Sequence, residues 1–172
     1  MRPEDFAGRQ PQLELERYFV GKTRAFGMFH DRFGRLRRQF TVEIEGRIED
    51  GVLLLDEYFV YDDGETARRL WRLRRVDAHT YEGTAEDIVG VARGRAFGNV
   101  VNWQYQMDLR VGESVWRVHF DDWLYLLSAD VLLNRATVSR FGIRIGEVTI
   151  AFIKMPQDLS GDTRPQPVAA AP

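Results

Sequence analysis

The sequence contains no cysteine among its 172 residues. Disulfide bridges, thiol nucleophiles and thiolate metal sites are therefore excluded. For the same reason, the sequence does not directly indicate an oxidising or a reducing compartment. No run of about 18 apolar residues is present, as a membrane-spanning helix would require. Residues 1–12 are polar and lack the apolar segment of a secretory signal. We therefore expect a soluble, cytoplasmic protein with no integral membrane segment.

A strong excess of charge of either sign is also missing. The formal net charge is -2, whereas a dedicated nucleic-acid-binding protein normally carries a basic face. Histidine is scarce, and His30, His79 and His119 are not spaced as a pair of metal ligands. Arginines cluster at residues 32–38 and 68–75, but they alternate with apolar residues and so fit a solvated outer sheet face. We therefore predict no metal site, no cofactor and no nucleic-acid partner.

Alternation of apolar and polar residues is the dominant positive feature, and it persists from about Thr23 to Lys154. In the clearest run, residues 99–111, one face is apolar and the other is polar. That apolar row consists of Val101, Trp103, Tyr105, Met107, Leu109 and Val111. Turn signals containing Gly and Asp separate the runs, as in antiparallel hairpins. The pattern predicts strands at roughly 23–30, 35–46, 52–61, 65–76, 79–87, 90–97, 99–110, 114–127, 131–140 and 143–154.

A meander of about ten strands has two unpaired edges, which closure into a barrel removes. The sequence therefore predicts an all-β fold, an antiparallel meander closed into a lipocalin-like barrel of about 8–10 strands. Residues 13–156 should form this single domain, and Leu13 to Phe19 could form a short helix across one end. Residues 1–12 would be an N-terminal arm. Residues 157–172 should be disordered, because they offer no periodic apolar face.

The inside of such a barrel is wide enough for one small ligand. The predicted inward rows carry many aromatic residues, and this lining suits an apolar molecule. These residues are Phe40, Phe59, Trp71, Trp103, Tyr105, Trp116, Phe120 and Phe152. The same side chains could instead fill the barrel completely, so the sequence leaves both alternatives open.

Charged residues on the inward rows are candidates for function, because a buried charge is costly unless it is paired or used. Arg38, Arg69 and Asp122 each fall on an apolar row. An inward arginine could receive a ligand carboxylate through two charge-assisted hydrogen bonds. Alternatively, the two arginines are structural ion-pair partners of Asp122 or Asp87. The candidate ligand-binding residues are Arg38, Arg69, Trp71, Trp103, Tyr105, Trp116, Phe120 and Asp122, and no catalytic residue can be named.

Two acidic pairs call for separate interpretation. Asp62 and Asp63 precede Gly64 in a predicted hairpin, where aspartate most often stabilises the turn. Asp121 and Asp122 are neighbours on a predicted strand, so their side chains point to opposite faces. They cannot face one substrate together, and a glycosidase dyad is therefore not supported.

The runs at residues 57–65, 98–105 and 119–123, followed by Asn134-Arg135-Ala136, resemble a bacterial family known only as domain of unknown function 3833. The similarity extends over nearly all of residues 13–154. This resemblance implies a lipocalin-like barrel and carries no established activity. Many members look like lipoproteins with an acylated cysteine ahead of the domain. This chain has no cysteine and departs from that pattern.

Three functions of different classes fit these observations. The favoured one is a binding protein that takes up a fatty acid or a similar small apolar ligand in the barrel interior. The second is a lipid-modifying enzyme of the isomerase or cyclase type, with Asp122 or Tyr105 as the proton-transfer group. The third is a filled barrel that acts as a protein-interaction module.

Overall fold

The computed structural model describes residues 1–156, so the predicted disordered tail at 157–172 lies outside the described residues. A 3-10 helix (Pro3–Phe6) and one short α-helix, α1 (Leu15–Phe19), precede the strands. The strands are β1 (Gly21–Asp31), β2 (Leu36–Glu49), β3 (Val52–Tyr61), β4 (Thr66–Arg75), β5 (Thr80–Thr84), β6 (Ile88–Phe97), β7 (Val100–Val111), β8 (Ser114–Leu126), β9 (Val131–Arg140) and β10 (Ile143–Lys154). Within residues 1–156, no helix is long and apolar enough to cross a membrane.

The ten strands form one closed antiparallel barrel. Each strand pairs with its neighbour in sequence, and β10 returns to pair with β1. Closure leaves none of the described strands with an unpaired edge, and the predicted all-β barrel is confirmed. We call one end the mouth; it holds the turns of the β1–β2, β3–β4, β5–β6, β7–β8 and β9–β10 hairpins. The opposite end, the base, holds the remaining turns and α1.

Alternation along each strand separates the core from the solvent face. In β7, Val101 and Trp103 are buried inside the barrel, whereas Gln104 is exposed outside. Trp103 fits because its partner on β6 is Gly94. A Cβ atom at Gly94 would lie only 2.3 Å from the indole ring. The large aromatic side chain therefore depends on a residue without a side chain on the neighbouring strand.

The outer face of β7 departs from the prediction at Asn102. The alternation assigns this residue to the water-facing side, yet it is only 7% exposed. The N-terminal 3-10 helix covers this part of the wall, and the ring of Phe6 lies 6.2 Å from that of Trp123. The Asn102 amide donates to a carboxylate oxygen of Asp121 and to the carbonyl oxygen of Asp122, at 2.6 and 3.0 Å. Its burial is therefore compensated by hydrogen bonds.

Helix α1 closes the base of the barrel. It begins at Leu15, and both Tyr18 and Phe19 are buried. The Tyr18 hydroxyl donates to the carbonyl oxygen of Phe152 on β10 at 3.2 Å. Gly46 on β2 permits the close approach, since a Cβ atom there would lie 1.8 Å from the carbonyl oxygen of Phe19. The short helix predicted across one end is thus present and is anchored to the wall.

Candidate ligand-binding site

The barrel interior contains a cavity of about 290 Å³. At the base it is bounded by Leu15 and Phe19 from α1, and towards the mouth it reaches Phe29, Leu109 and Ile145. Its aromatic lining includes Phe40, Phe59, Trp71, Trp103, Tyr105 and Phe120. The aromatic side chains therefore do not fill the barrel, which decides between the two alternatives that the sequence left open.

Most of the predicted ligand-binding residues line this cavity. They are Arg38, Arg69, Trp71, Trp103, Tyr105, Phe120 and Asp122. Trp116 is not among the lining residues. It pairs with Leu109 close to the β7–β8 turn, and its ring lies under the guanidinium of Arg140 at 4.2 Å. The structure thus brings seven of the eight side chains together, while their role in binding stays a prediction.

Asp122 is the inward acid that the alternation identified. It is 7% exposed, and one of its oxygens accepts from the Tyr105 hydroxyl at 3.4 Å and from the Asn134 amide at 3.3 Å. Burial raises the pKa of Asp122 to about 7, because the charged form loses its hydration. The carboxyl group can therefore change its protonation state near neutral pH while it faces the cavity.

Glu57 on β3 is a second inward acid, and the sequence analysis missed it. Burial raises its pKa to about 7, even though an Arg69 nitrogen lies 3.6 Å from one of its oxygens. The signal was present, because Glu57 shares the period-2 row of Leu55 and Phe59. Two titratable carboxyl groups therefore line one cavity.

Tyr105 lies between the acids and the aromatic wall. Its ring stacks on Phe120 with centroids 5.0 Å apart and meets Trp71 edge-on at 5.5 Å. Burial raises the pKa of Tyr105 well above its ordinary value. Its hydroxyl consequently keeps its proton at neutral pH and acts as a donor, here towards Asp122.

The inward arginines already have acidic partners within the chain. Arg69 donates to both carboxylate oxygens of Asp87 in the β5–β6 loop, at 2.7 to 3.1 Å. Arg38 lies over the Tyr61 ring at 3.6 Å and pairs with Asp63 at 3.1 Å. Ion pairing, one of the two interpretations drawn from the sequence, therefore describes both arginines. Arg69 has the expected partner Asp87, but the expected partners are wrong for Arg38, which pairs with Asp63 and Glu65 because the β3–β4 turn lies beside β2.

Asp63 combines this ion pair with the predicted turn role. One of its carboxylate oxygens accepts from the backbone N–H of Glu65 at 2.9 Å. The same side chain accepts from Arg38, which also bonds to the Glu65 carboxylate. The β3–β4 turn is thus attached to the neighbouring strand β2. Among residues 1–156, no group of three or more His, Asp or Glu side chains could hold a metal ion.

The model of a family described as a protein of unknown function (DUF3833) matches residues 1–154 of this chain. No curated protein matches the sequence. The family model thus spans the 3-10 helix, α1 and all ten strands.

Solved structures show the same fold at low sequence identity. The S-type phycobiliprotein lyase CPES from Guillardia theta superposes with a TM-score of 0.62 and 10% identity, covering 91% of this chain and 99% of that chain. A protein of unknown function from the DUF3598 family of Nostoc punctiforme has a TM-score of 0.62 and 11% identity, covering 85% of this chain and 51% of its own. This chain therefore spans about half the length of the second protein. Both matches show a lipocalin-like (calycin) fold.

Proposed function

This chain belongs to the DUF3833 family of proteins of unknown function, and for this member we propose that the barrel binds one fatty acid or similar apolar molecule. The observation that carries the proposal is a cavity with aromatic walls and a small set of polar groups. Binding sites for small molecules commonly combine these two features. The cavity of about 290 Å³ argues against the filled-barrel alternative.

The apolar wall supplies the affinity in this proposal. Transfer of an alkyl chain from water into the cavity is favourable in proportion to the apolar area removed from water. The cavity volume of about 290 Å³ lies just below the roughly 300–1,000 Å³ that is usual for ligand pockets. One molecule of modest size, or one end of a longer chain, therefore suits the interior.

The polar groups favour a ligand end that donates hydrogen bonds. Within residues 1–156, buried oxygens of Asp122 and Asn134 accept no hydrogen bond, and the buried Oε2 of Glu57 has only the Arg69 nitrogen at 3.6 Å. All three residues line the cavity. Buried acceptors normally have a partner. A hydroxyl group or a protonated carboxyl group would satisfy them, whereas an ionised carboxylate would not. Arg38 and Arg69 are already occupied by acids of the chain.

Calorimetric titration with a fatty acid and a fatty alcohol of equal chain length tests the proposal. Both should bind, and lowering the pH from about 8 to about 6 should strengthen binding of the acid more than that of the alcohol. The reason is that Asp122 and Glu57, with pKa values of about 7, become neutral over this interval. Asp122→Asn should reduce the pH effect, and Gln104→Ala on the outer face should not. Failure of both ligands to bind at either pH would end the proposal.

A second candidate function, a proton-transfer enzyme acting on a bound lipid, is favoured by the pKa of Asp122. A buried acid that titrates near neutrality beside a cavity has the property that general acid–base catalysis requires. The experiment is to incubate the protein with an unsaturated fatty acid in heavy water. Mass spectrometry should show deuterium in the carbon chain if Asp122 exchanges its proton with the substrate. Asp122→Asn should abolish the incorporation. If the unmutated protein introduces no deuterium into the fatty acid, the enzyme function is excluded and only the binding function stands.

A further inference from the structure

Two neighbouring turns at the mouth hold phenylalanines in water. Phe33 in the β1–β2 turn is 73% exposed, and Phe141 in the β9–β10 turn is 88% exposed. The turns are adjacent because β1 pairs with both β2 and β10. We call residues 32–35 and 140–144 together the mouth patch. Large exposed apolar side chains on adjacent turns identify a candidate interaction surface.

The backbone at Phe141 is unfavourable for its residue type. Phe141 and Gly142 have φ values of 51° and 76°, so both lie in the left-handed region that a type I′ hairpin turn requires. The β2–β3 hairpin at the base makes the same turn with Asp50 and Gly51, at 51° and 75°. Aspartate tolerates this conformation, whereas a bulky aromatic residue rarely adopts it. The turn itself therefore gives no reason for a phenylalanine at position 141.

Arginines accompany both phenylalanines. The Arg32 guanidinium lies 4.7 Å from the Phe33 ring, and that of Arg140 lies 4.8 Å from the Phe141 ring. Neither segment of the patch contains an acidic residue. Within residues 1–156, Arg32, Arg35 and Arg140 form no ion pair. Arg144 of the patch pairs with Glu147 at 2.6 Å, and Asp31 borders the β1–β2 segment. Four arginines against these two acids leave the patch with a net positive charge beside its apolar rings.

Charge is unevenly distributed around the mouth. The β3–β4 and β5–β6 hairpins, which are neighbours in the barrel, carry five acids, three of which pair with Arg38 or Arg69. These acids are Asp62, Asp63, Glu65, Glu86 and Asp87. The mouth patch lies on the β1–β2 and β9–β10 hairpins, and β2 separates it from the acidic β3–β4 hairpin. An anionic surface would therefore be attracted to the patch more than to the acidic hairpins.

We propose that the mouth patch docks on a lipid bilayer that contains anionic head groups. Phe33 and Phe141 enter the interfacial region, where their rings leave water, while the nearby arginines contact the head-group phosphates. Attachment of this kind combines apolar burial with electrostatic attraction, and each basic residue near an anionic membrane adds to it. Phe29 and Ile145, next to the patch, line the cavity. Docking would therefore bring the mouth of the cavity against the source of apolar molecules, although it does not depend on the proposed ligand.

Co-sedimentation of the full chain with vesicles tests this proposal. The protein should bind vesicles of phosphatidylcholine and phosphatidylglycerol, bind pure phosphatidylcholine vesicles much less, and dissociate as salt screens the charges. Phe141→Asn should raise the dissociation constant for the vesicles by roughly 10- to 100-fold, which corresponds to the burial of one aromatic side chain. The same variant should unfold at an equal or higher temperature, because asparagine favours the left-handed turn.

Leu127→Asn is the matched control. Leu127 is also exposed, in the β8–β9 turn at the base, so its replacement removes an apolar side chain far from the mouth. This variant should bind vesicles as the unmutated protein does. Absence of binding to the mixed vesicles, or undiminished binding by Phe141→Asn, would overturn the proposal. A dimer in sedimentation velocity that Phe141→Asn dissociates would overturn it too, since the patch would then contact a second copy of the chain.

Discussion

Arg69 and Asp87 form a bidentate ion pair at the edge of the cavity, with the guanidinium donating to both carboxylate oxygens at 2.7 to 3.1 Å. Glu57 adds a second acid 3.6 Å from the same guanidinium. The positive charge is therefore held by the chain before any ligand enters. This arrangement explains why we assign the polar end of the ligand to the neutral forms of the acids and not to an open arginine.

Removal of the Asp87 charge should make Arg69 available to an anionic ligand. We predict that Asp87→Asn strengthens fatty-acid binding at about pH 6 by about tenfold, or roughly 1.4 kcal/mol. The gain stays at the lower end for a charge-assisted hydrogen bond, because Asp87 is partly exposed and solvent screens it. Calorimetric titration with the acid measures the change. A fatty alcohol of equal length should show much less of it.

Glu86→Gln provides the control for this substitution. Glu86 lies in the same loop and is exposed, and the replacement removes the same charge without touching the Arg69 pair. It should leave the affinity for the acid unchanged. Equal increases in fatty-acid affinity from Asp87→Asn and Glu86→Gln would show that the effect comes from the overall electrostatic potential at the mouth and not from the release of Arg69.

The two buried acids predict how stability depends on pH. Asp122 has a pKa raised from 3.8 to about 7, and that of Glu57 is raised from 4.5 to about 7. A group whose pKa is higher in the folded state adds stability that is complete below its unfolded pKa and is lost as the pH rises through its folded pKa. The free energy of unfolding should therefore fall between about pH 5 and about pH 8.

Asp122→Asn should remove part of this fall. Relative to the unmutated protein, we expect the variant to gain on the order of 2 kcal/mol in unfolding free energy between about pH 5 and about pH 8. Urea denaturation across the pH range measures it. The outward neighbour gives the comparison, since Asp121→Asn should keep the original slope. A pH profile that Asp122→Asn leaves unaltered would mean that Asp122 is ionised throughout.

The fold was predictable because the strand period is local information. The alternation in residues 99–111 needs no knowledge of the rest of the chain, and the turn signals mark where each strand ends. Closure followed from the number of strands and the need to avoid free edges. The burial of Asn102 was not predictable in this way, because it depends on the 3-10 helix, about a hundred residues earlier in the chain, covering the outer wall.

The site was predictable in composition but not in pairing. Period-2 alternation placed Arg38, Arg69 and Asp122 inside, and the same rule applied to residues 52–61 would have added Glu57. Which acid each arginine contacts depends on loop paths, such as the one that brings Asp87 to Arg69. Whether aromatic side chains fill a barrel or line a cavity depends on packing in three dimensions, and no sequence period reports it.

Trp103 should be a major contributor to stability. Its indole is 7% exposed and meets the Trp71 ring edge-on, with centroids 5.9 Å apart. Trp103→Ala removes this contact and leaves a void, so we predict a loss of about 3 kcal/mol in the free energy of unfolding. This value is near the lower end for such truncations, because the ring already borders a cavity. Chemical denaturation measures the loss. Gln104→Ala, one residue away on the outer face, should change stability by less than about 0.5 kcal/mol.

The close approach of Trp103 to Gly94 makes a sharper prediction about the same core. A Cβ atom at Gly94 would lie 2.3 Å from the indole, so Gly94→Ala should destabilise the protein by about 1 to 3 kcal/mol through overpacking. With Trp103 already replaced by alanine, the contact with the indole is gone and only Tyr81 Cβ at 3.3 Å remains close, so the same change should cost much less. The coupling between the two sites in a double-mutant cycle should therefore exceed about 1 kcal/mol. Additive losses would mean that β6 and β7 can move apart to admit the extra methyl group. The barrel would then be packed less tightly around Trp103 than its close approach to Gly94 implies.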